Sequence, residues 1–385
     1  MAYTVLARRY RPESFDSLVG QSSVGDTLKN AIKLDRVGHA YLFTGPRGVG
    51  KTSTARIFAK ALNCPNSQGG SPCLKCSACE GISKGQSTDV IEIDGASNNG
   101  VEDIREIREQ ANYAPLDSPY KIYIIDEVHM VTRAAFNALL KTLEEPPEHI
   151  VFLFATTEAH KVPETILSRC QRFDFVSISE ADIVGRLKQI CQDENVETDQ
   201  EVLHALARFA KGGMRNAQSC LDQLITFAGG EKITAEHLAG LFRILTDEEI
   251  LEALDLARAS KLEELASLSE SFKQRNVQAG YVLEQIHLMV RTLLKILHLG
   301  QKSAADRLEG NTLTRAEELA KAQTAQGWLA ALDLIQQGRT NLSRGVEPDW
   351  ALEQTLLNLG HLGQLPTLSE LMGQLVTGKK KTSDS

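Results

Sequence analysis

The chain has 385 residues, 42% of them apolar and 24% charged, with a formal net charge of −8. That length suggests two or three domains with substantial cores, and that charge excludes a protein basic all over while permitting a local basic face. No run of roughly eighteen apolar residues occurs and Met1 to Pro12 lacks an apolar h-region, so neither a membrane span nor secretion is expected, and the chain reads as cytoplasmic.

The first forty residues open with Val5-Leu6-Ala7-Arg8-Arg9-Tyr10-Arg11-Pro12, then Phe15, Leu18, Val19, Gly20 and Gln21. A helix-like pattern follows from Ser23 to Leu34. The segment is either an arm with a solvated basic face or a wall for a neighbouring site, with Pro12 and Val19 as its apolar part.

An apolar run, Ala40-Tyr41-Leu42-Phe43, then leads into Gly45-Pro46-Arg47-Gly48-Val49-Gly50-Lys51-Thr52, and a helical segment continues from Ser53 to Leu62. This is G-x-x-x-x-G-K-[ST] in a strand-to-helix context, which predicts a phosphate loop and nucleoside triphosphate binding. Glycines let backbone N–H groups converge on phosphate oxygens, and the helix offers its positive end. Lys51 supplies a charge for the β- and γ-phosphates, and the Thr52 hydroxyl can ligate Mg²⁺.

Four of the seven cysteines cluster at Cys64, Cys73, Cys76 and Cys79, spaced C-x8-C-x2-C-x2-C; Cys170, Cys191 and Cys220 stand singly. Four thiolates suit tetrahedral Zn²⁺, with an iron–sulfur cluster, two disulfides or free thiols as the other readings. The intervening helix would carry Cys64 roughly 18–20 Å from the phosphates. At that distance, and with no free ligand position, a metal there is structural.

Asp89 to Asp94 reads as a short strand, the loop Gly95 to Gly100 follows, and Val101 to Asn112 reads as an amphipathic helix with Ile104, Ile107 and Ala111 on one face. The polar tip Asn98-Asn99-Gly100 is either solvated or turned to a partner. Lys121-Ile122-Tyr123-Ile124-Ile125 is the continuous apolar run of a central parallel strand, and it ends in Asp126-Glu127. Carboxylates at the C-terminal end of such a strand lie where open α/β sheets bind ligands. Asp126 is the candidate for holding Mg²⁺ and Glu127 for polarising an attacking water. His129 is a packed or surface histidine, or else a sensor.

Phe136 to Leu143 is a helix stopped by Glu144-Glu145-Pro146-Pro147, and Ile150 to Ala155 is a buried strand that ends at Thr156-Thr157. A hydroxyl there either meets the γ-phosphate or merely closes the strand. Pro163 to Cys170 leads to a strand from Arg172 to Val176; Arg169 could stabilise charge on a transferred phosphoryl group or be an ordinary surface arginine.

From Ser179 helical periodicity takes over, with Ser179 capping a helix through Asp182. Val202, Leu203, Leu206, Phe209 and Ala210 make a stripe, Gly212-Gly213 breaks it, and another helix starts at Met214-Arg215-Asn216. A cation at a helix start opposes the macrodipole, so Arg215 hints at an anionic partner or is solvated. From about residue 243 the chain is helical almost throughout, and Tyr281 to Leu299 is apolar on more than one face. The tail from Gly378 to Ser385 reads as a linker.

Together these residues resemble the bacterial DNA polymerase III gamma/tau family, the clamp-loader ATPases of the AAA+ superfamily. The resemblance is carried by Arg8-Arg9-Tyr10-Arg11-Pro12 with Val19-Gly20-Gln21, the phosphate loop, the four-cysteine insert, Asp126-Glu127-Val128-His129, Lys141 to Pro147, and Ser168-Arg169-Cys170. It implies an α/β AAA+ P-loop parallel-sheet domain (1–178) with a zinc-binding insert (about 64–79). A small helical lid (179–242), an all-helical C-terminal collar (243–368) and a tail (369–385) would follow.

The resemblance also implies that Ala7, Arg11, Pro12 and Val19 line the nucleotide pocket with the loop Gly45 to Thr52. Thr157 matches the sensor-1 position, Arg169 an arginine finger acting on a neighbour's ATP, and Arg215 the sensor-2 position. Cofactors would be ATP, Mg²⁺ and structural Zn²⁺. Partners would be delta and delta-prime subunits, further copies of the chain in a pentameric assembly, the sliding clamp and primer–template DNA, with no membrane. ATP binding would open the ring-shaped clamp and hydrolysis would release it on DNA. Two departures stand out: Asn216 follows Arg215 where relatives often carry Asp, and Asn98-Asn99-Gly100 lacks the basic residues some relatives show. The alternatives are a non-hydrolysing structural subunit of the same assembly, or another AAA+ machine acting on DNA.

Overall fold

The computed structural model describes residues 3–301, 308 and 310–362. The expected tail, 369–385, lies outside the described residues. By its internal contacts the chain divides into two units, one of residues 1–194 with 206–223, the other of 195–205 with the residues from 224 onward. Residues 179–242, the stretch expected as a lid, contribute to both.

The first unit is built on five strands, β1 (Ala40–Thr44), β2 (Val90–Asp94), β3 (Lys121–Asp126), β4 (Ile150–Thr156) and β5 (Gln171–Asp174). They form one all-parallel sheet in the order β2-β3-β4-β1-β5. All seven residues of β4 are buried, and so are all five of β1, as strands covered on both faces must be. Alternation along the strands divides the core. Tyr41, Phe43, Ile122, Ile124 and Leu153 point to one layer, while Leu42, Tyr123, Ile125, Phe152 and Phe154 point to the other. At about 1.5–3 kcal/mol for each large side chain fully buried, these inner strands supply much of the unit's cohesion.

Helices flank the sheet: α1 (Leu6–Arg9), α2 (Ser22–Lys33), α3 (Lys51–Asn63), α4 (Ser77–Lys84), α5 (Val101–Ala111), α6 (Arg133–Glu144), α7 (Glu164–Leu167) and α8 (Glu180–Asp193). The first layer receives α2 and α3 through Leu28, Ile57 and Phe58, with Phe58 edge-on to Tyr41 at 4.9 Å. The second receives α5 and α6 through Ile104, Phe136 and Leu139. Ser179 caps α8 by accepting from the Asp182 N–H at 3.1 Å. Two local readings differ from the sequence: α4 inside the cysteine insert has no apolar period long enough to announce it, and β5 closes at Asp174, two residues before Val176.

Beyond these run α9 (Gln200–Phe209), α10 (Met214–Ala228) and α11 (Ala235–Phe242), and then a region whose elements among the described residues are all helices: α12 (Asp247–Arg258), α13 (Leu262–Gln274), α14 (Ala279–Leu299), α15 (Gly310–Lys321), α16 (Ala325–Ser343) and α17 (Pro348–Leu362). Its core gathers Leu251, Phe272, Leu283, Ile286, Met289, Leu293, Ile335 and Leu356. Helix α14 is buried on several sides, from Val282 and Leu283 to Gln285, Ile286, Met289 and Val290, which is why its sequence shows no single apolar stripe. Trp328 is buried with its indole N–H donating to the Ala320 carbonyl at 3.2 Å.

Candidate nucleotide site and cysteine cluster

Parallel pairing brings the C-terminal ends of the strands to one edge of the sheet, with Thr44 beside Thr156 and Asp94 beside Asp126. The loop Gly45 to Gly50 leaves β1 at that edge and turns directly into α3, which begins at Lys51. Gly45 must be glycine: its φ is +146°, and a Cβ there would lie 2.4 Å from the Phe175 carbonyl oxygen. The Gly45 N–H donates to the Thr156 carbonyl at 3.3 Å, tying the loop to β4.

Lys51 is only 7% exposed, and its ammonium donates to the carbonyls of Gly45 (2.8 Å) and Pro46 (2.7 Å). Burial holds it below the usual lysine range, while Glu127 and Asp126 pull it back up. The Thr52 hydroxyl donates to Asp126 Oδ2 at 2.7 Å, and Asp126 Oδ1 accepts the Glu127 N–H at 2.9 Å. Glu127 sits in the left-handed region (φ 44°), uncommon for a glutamate, where the chain turns out of β3. Its Oε2 accepts the Thr157 hydroxyl at 3.3 Å and lies 3.5 Å from His129 Nδ1. His129 is packed, with Nδ1 3.0 Å from the Thr156 hydroxyl. A hydroxyl, two carboxylates and an ammonium thus converge at the sheet edge, a donor set fit for Mg²⁺ and a phosphate chain.

These groups open into a cavity of about 360 Å³. Arg47, Gly48, Val49, Gly50, Lys51 and Thr52 line one side. Ala7, Arg11, Pro12 and Val19 form another, and Arg215 with Met214, at the start of α10, closes it. Asp126 and Glu127 stand at its acidic end. Burial lowers the pKa of Arg11, with Arg56 and Arg215 pressing the same way and Glu92 opposing. Gly45 and Pro46 lie outside the lining and touch it through Lys51, and Thr157 reaches it through Glu127.

Tyr10 and Leu18, which the sequence marked only as part of the N-terminal run, also line the cavity, as do Asp94, Ile178, Arg186 and Gln218, to which the sequence assigned no role. The Tyr10 hydroxyl donates to Glu194 at 2.5 Å, and Arg186 lies 5.7 Å from the Tyr10 ring centre. Burial, then that carboxylate, raises Tyr10 to about 12. Arg186 and Gln218 carry no local signal, because only the return of α8 and α10 to the sheet edge places them there.

Arg169 stands apart from this cavity at the end of α7. Its guanidinium donates to the Thr165 carbonyl (2.7 Å), to the Ser168 hydroxyl (3.3 Å) and to Glu144 (2.6 Å), and its side chain is 32% exposed. A surface ion pair of this kind contributes about 0–1 kcal/mol, so it can be exchanged for a stronger anion.

The four clustered cysteines are free thiols whose sulfurs all lie within 4.8 Å of one another. Cys64 Sγ and Cys76 Sγ are 3.8 Å apart, matching the edge of about 3.8 Å that a tetrahedron of 2.3 Å zinc–sulfur bonds requires. Backbone N–H groups already point at the sulfurs, from Cys73 to Cys64 (3.3 Å) and from Cys79 to Cys76 (3.5 Å), the latter at the start of α4. The Lys75 N–H chiefly draws the Cys73 thiol down to about 6, whereas burial pushes Cys64 and Cys79 up. The set is closed and can hold a tetrahedral divalent ion such as Zn²⁺.

Residues 20–179 match the family described as "DNA polymerase III, delta subunit", and residues 182–230 match "DNA polymerase III clamp loader subunit, ATPase lid domain". The chain is 41% identical over 353 residues to DNA polymerase III subunit tau of Bacillus subtilis (strain 168), covering 89% of this chain and 60% of that protein. It is 38% identical over 361 residues to subunit tau of Escherichia coli (strain K12), covering 93% and 55%. With DNA polymerase III subunit gamma of Buchnera aphidicola subsp. Acyrthosiphon pisum it shares 46% identity over 248 residues, 64% of this chain and 68% of that one. The chain therefore spans little more than half the length of the two tau proteins.

Proposed function

The chain belongs to the DNA polymerase III gamma/tau subunit family, and on that premise we propose that it is an ATP-hydrolysing clamp-loader subunit. The observation that carries the proposal is the Thr52 hydroxyl 2.7 Å from Asp126, beside the ammonium of Lys51 and the carboxylate of Glu127. In this reading Lys51 neutralises the β- and γ-phosphates, and Thr52 with Asp126 would hold Mg²⁺. When bound, that ion screens the charge of the triphosphate. Glu127 orients and polarises the attacking water, and Thr157, in hydrogen-bond reach of Glu127, fixes where that carboxylate points. Ala7, Arg11, Pro12 and Val19 shelter the nucleoside, the backbone of the phosphate loop binds its phosphates, and Arg215 reads their state from the start of α10.

Arg169 acts on the nucleotide of a neighbouring copy, which accords with its exposure and its distance from the cavity of its own chain. The cysteine cluster holds a structural Zn²⁺. Partners are delta and delta-prime subunits, further copies of this chain, the sliding clamp and primer–template DNA, and the energy of ATP drives clamp opening and loading. Residues 1–178 act as the ATPase domain, 179–242 as a lid and 243–368 as a collar. Lys51, Thr52 and Glu127 together speak against a non-hydrolysing subunit. The test is ATPase measured with and without primed DNA and clamp: stimulation by both together is expected, and turnover indifferent to both removes the clamp-loading reading.

A further inference from the structure

Beside the nucleotide cavity lies a second one of about 450 Å³, between the N-terminal segment, α3 and α4. Six cations line it: Arg8, Arg11, Arg56, Lys60, Lys84 and Arg215. Two carboxylates line it with them, Glu13, whose charge acts on Lys60, and Glu92, which is held by the Arg56 guanidinium through two hydrogen bonds of 2.6 Å, while Lys84 is ion-paired at 3.0 Å with Glu80 outside the lining. Lys60 is 4% exposed, and among the described residues no hydrogen bond or ion pair reaches its ammonium. The side chains of Arg8, Arg11 and Arg215 likewise have no acceptor among the described residues.

A buried ammonium without an acceptor is costly, and four arginines around one hollow repel each other. Lysine tolerates burial where a compact point charge meets an anion, and arginine forks match phosphate oxygens in pairs. We propose that this second cavity is a binding site for a pyrophosphate-type anion, separate from the triphosphate bound at the phosphate loop. It goes beyond the nucleotide reading. The residues particular to it, Arg8, Arg56, Lys60 and Lys84, do not line the nucleotide cavity. The two cavities share Ala7, Arg11, Pro12 and Arg215, so the sites are neighbours along one wall. Because Lys84 ends α4, the helix that Cys76 caps, the site also joins the cysteine module to that wall.

The experiment is calorimetric titration of inorganic pyrophosphate into the full chain saturated with a non-hydrolysable ATP analogue. One equivalent is expected to bind, and Arg8→Glu and Lys84→Glu should each weaken it by about fivefold or more while leaving the affinity for the analogue unchanged. Both positions are exposed, so these reversals report even if Lys60→Met fails to fold. A second equivalent of nucleoside diphosphate competing with pyrophosphate supports the site and identifies the anion as part of a nucleotide. No pyrophosphate binding in the saturated protein, or binding indifferent to both reversals, overturns the proposal. So does loss of primer–template DNA binding in these variants without any pyrophosphate binding, which would make the cations a contact for DNA.

Discussion

The ammonium of Lys51 donates to the two carbonyls that precede its own loop's turn, and it is nearly enclosed. A charge held this way is poised for phosphate oxygens, since a charge-assisted bond outweighs one to a neutral carbonyl. Lys51→Ala is therefore expected to weaken ATP binding by at least about 30-fold, read by titration with a fluorescent analogue. Glu127 is different. It lies 3.3 Å from Thr157 and lines the cavity beside Asp126, and in the proposed function it acts on a reacting water more than on the bound nucleotide. Glu127→Gln should keep ATP affinity within a few-fold and slow turnover on the order of 10²-fold or more, read by single-turnover hydrolysis. Equal losses of affinity and rate would assign Glu127 to binding.

At the scale of elements, the cysteine module docks on α2 through a backbone approach that admits no side chain. Gly70 has a φ of +79°, and a Cβ there would lie 2.5 Å from the Lys29 carbonyl oxygen. Gly70→Ala should lower unfolding stability by about 1–3 kcal/mol, seen as an earlier denaturant midpoint; an unchanged midpoint would show that the module can shift on α2 without loss. The helical region depends instead on ordinary packing. Phe272 of α13 is fully buried among apolar neighbours, so Phe272→Ala should cost about 3–5 kcal/mol in the same measurement. Helix α6 ends on Glu144, an acid at the negative end of a helix dipole, and its ion pair with Arg169 offsets that disfavoured placement.

For the whole molecule the decisive matter is whether reaction centres are completed across copies. In the proposed reading, chains carrying Lys51→Ala would hold nucleotide poorly yet still lend Arg169, and chains carrying Arg169→Ala would hold nucleotide and lack the lender. Mixing the two within a reconstituted loader should recover DNA- and clamp-stimulated ATPase above either variant alone. A mixture as inactive as its parts would remove the assignment in trans. The loop, the Asp126-Glu127 pair and the four-cysteine spacing were legible in one dimension because each packs its chemistry into a few adjacent residues. The lining contributed by Arg186, Ile178 and Gln218 was not, because those side chains come from elements more than a hundred residues from the loop and carry no pattern of their own.

By itself the sequence determined the local chemistry: a phosphate loop between strand and helix, acids at the end of an apolar strand, and a thiol quartet. These follow from backbone permissiveness, burial and ligand spacing, all of them short-range. Only the tertiary structure decided that parallel register sets Thr52 against Asp126, that Arg169 faces outward beside Glu144, and that six cations share a second hollow next to the first. Those outcomes depend on which strand ends and helix faces meet, and that is settled by packing across the sheet.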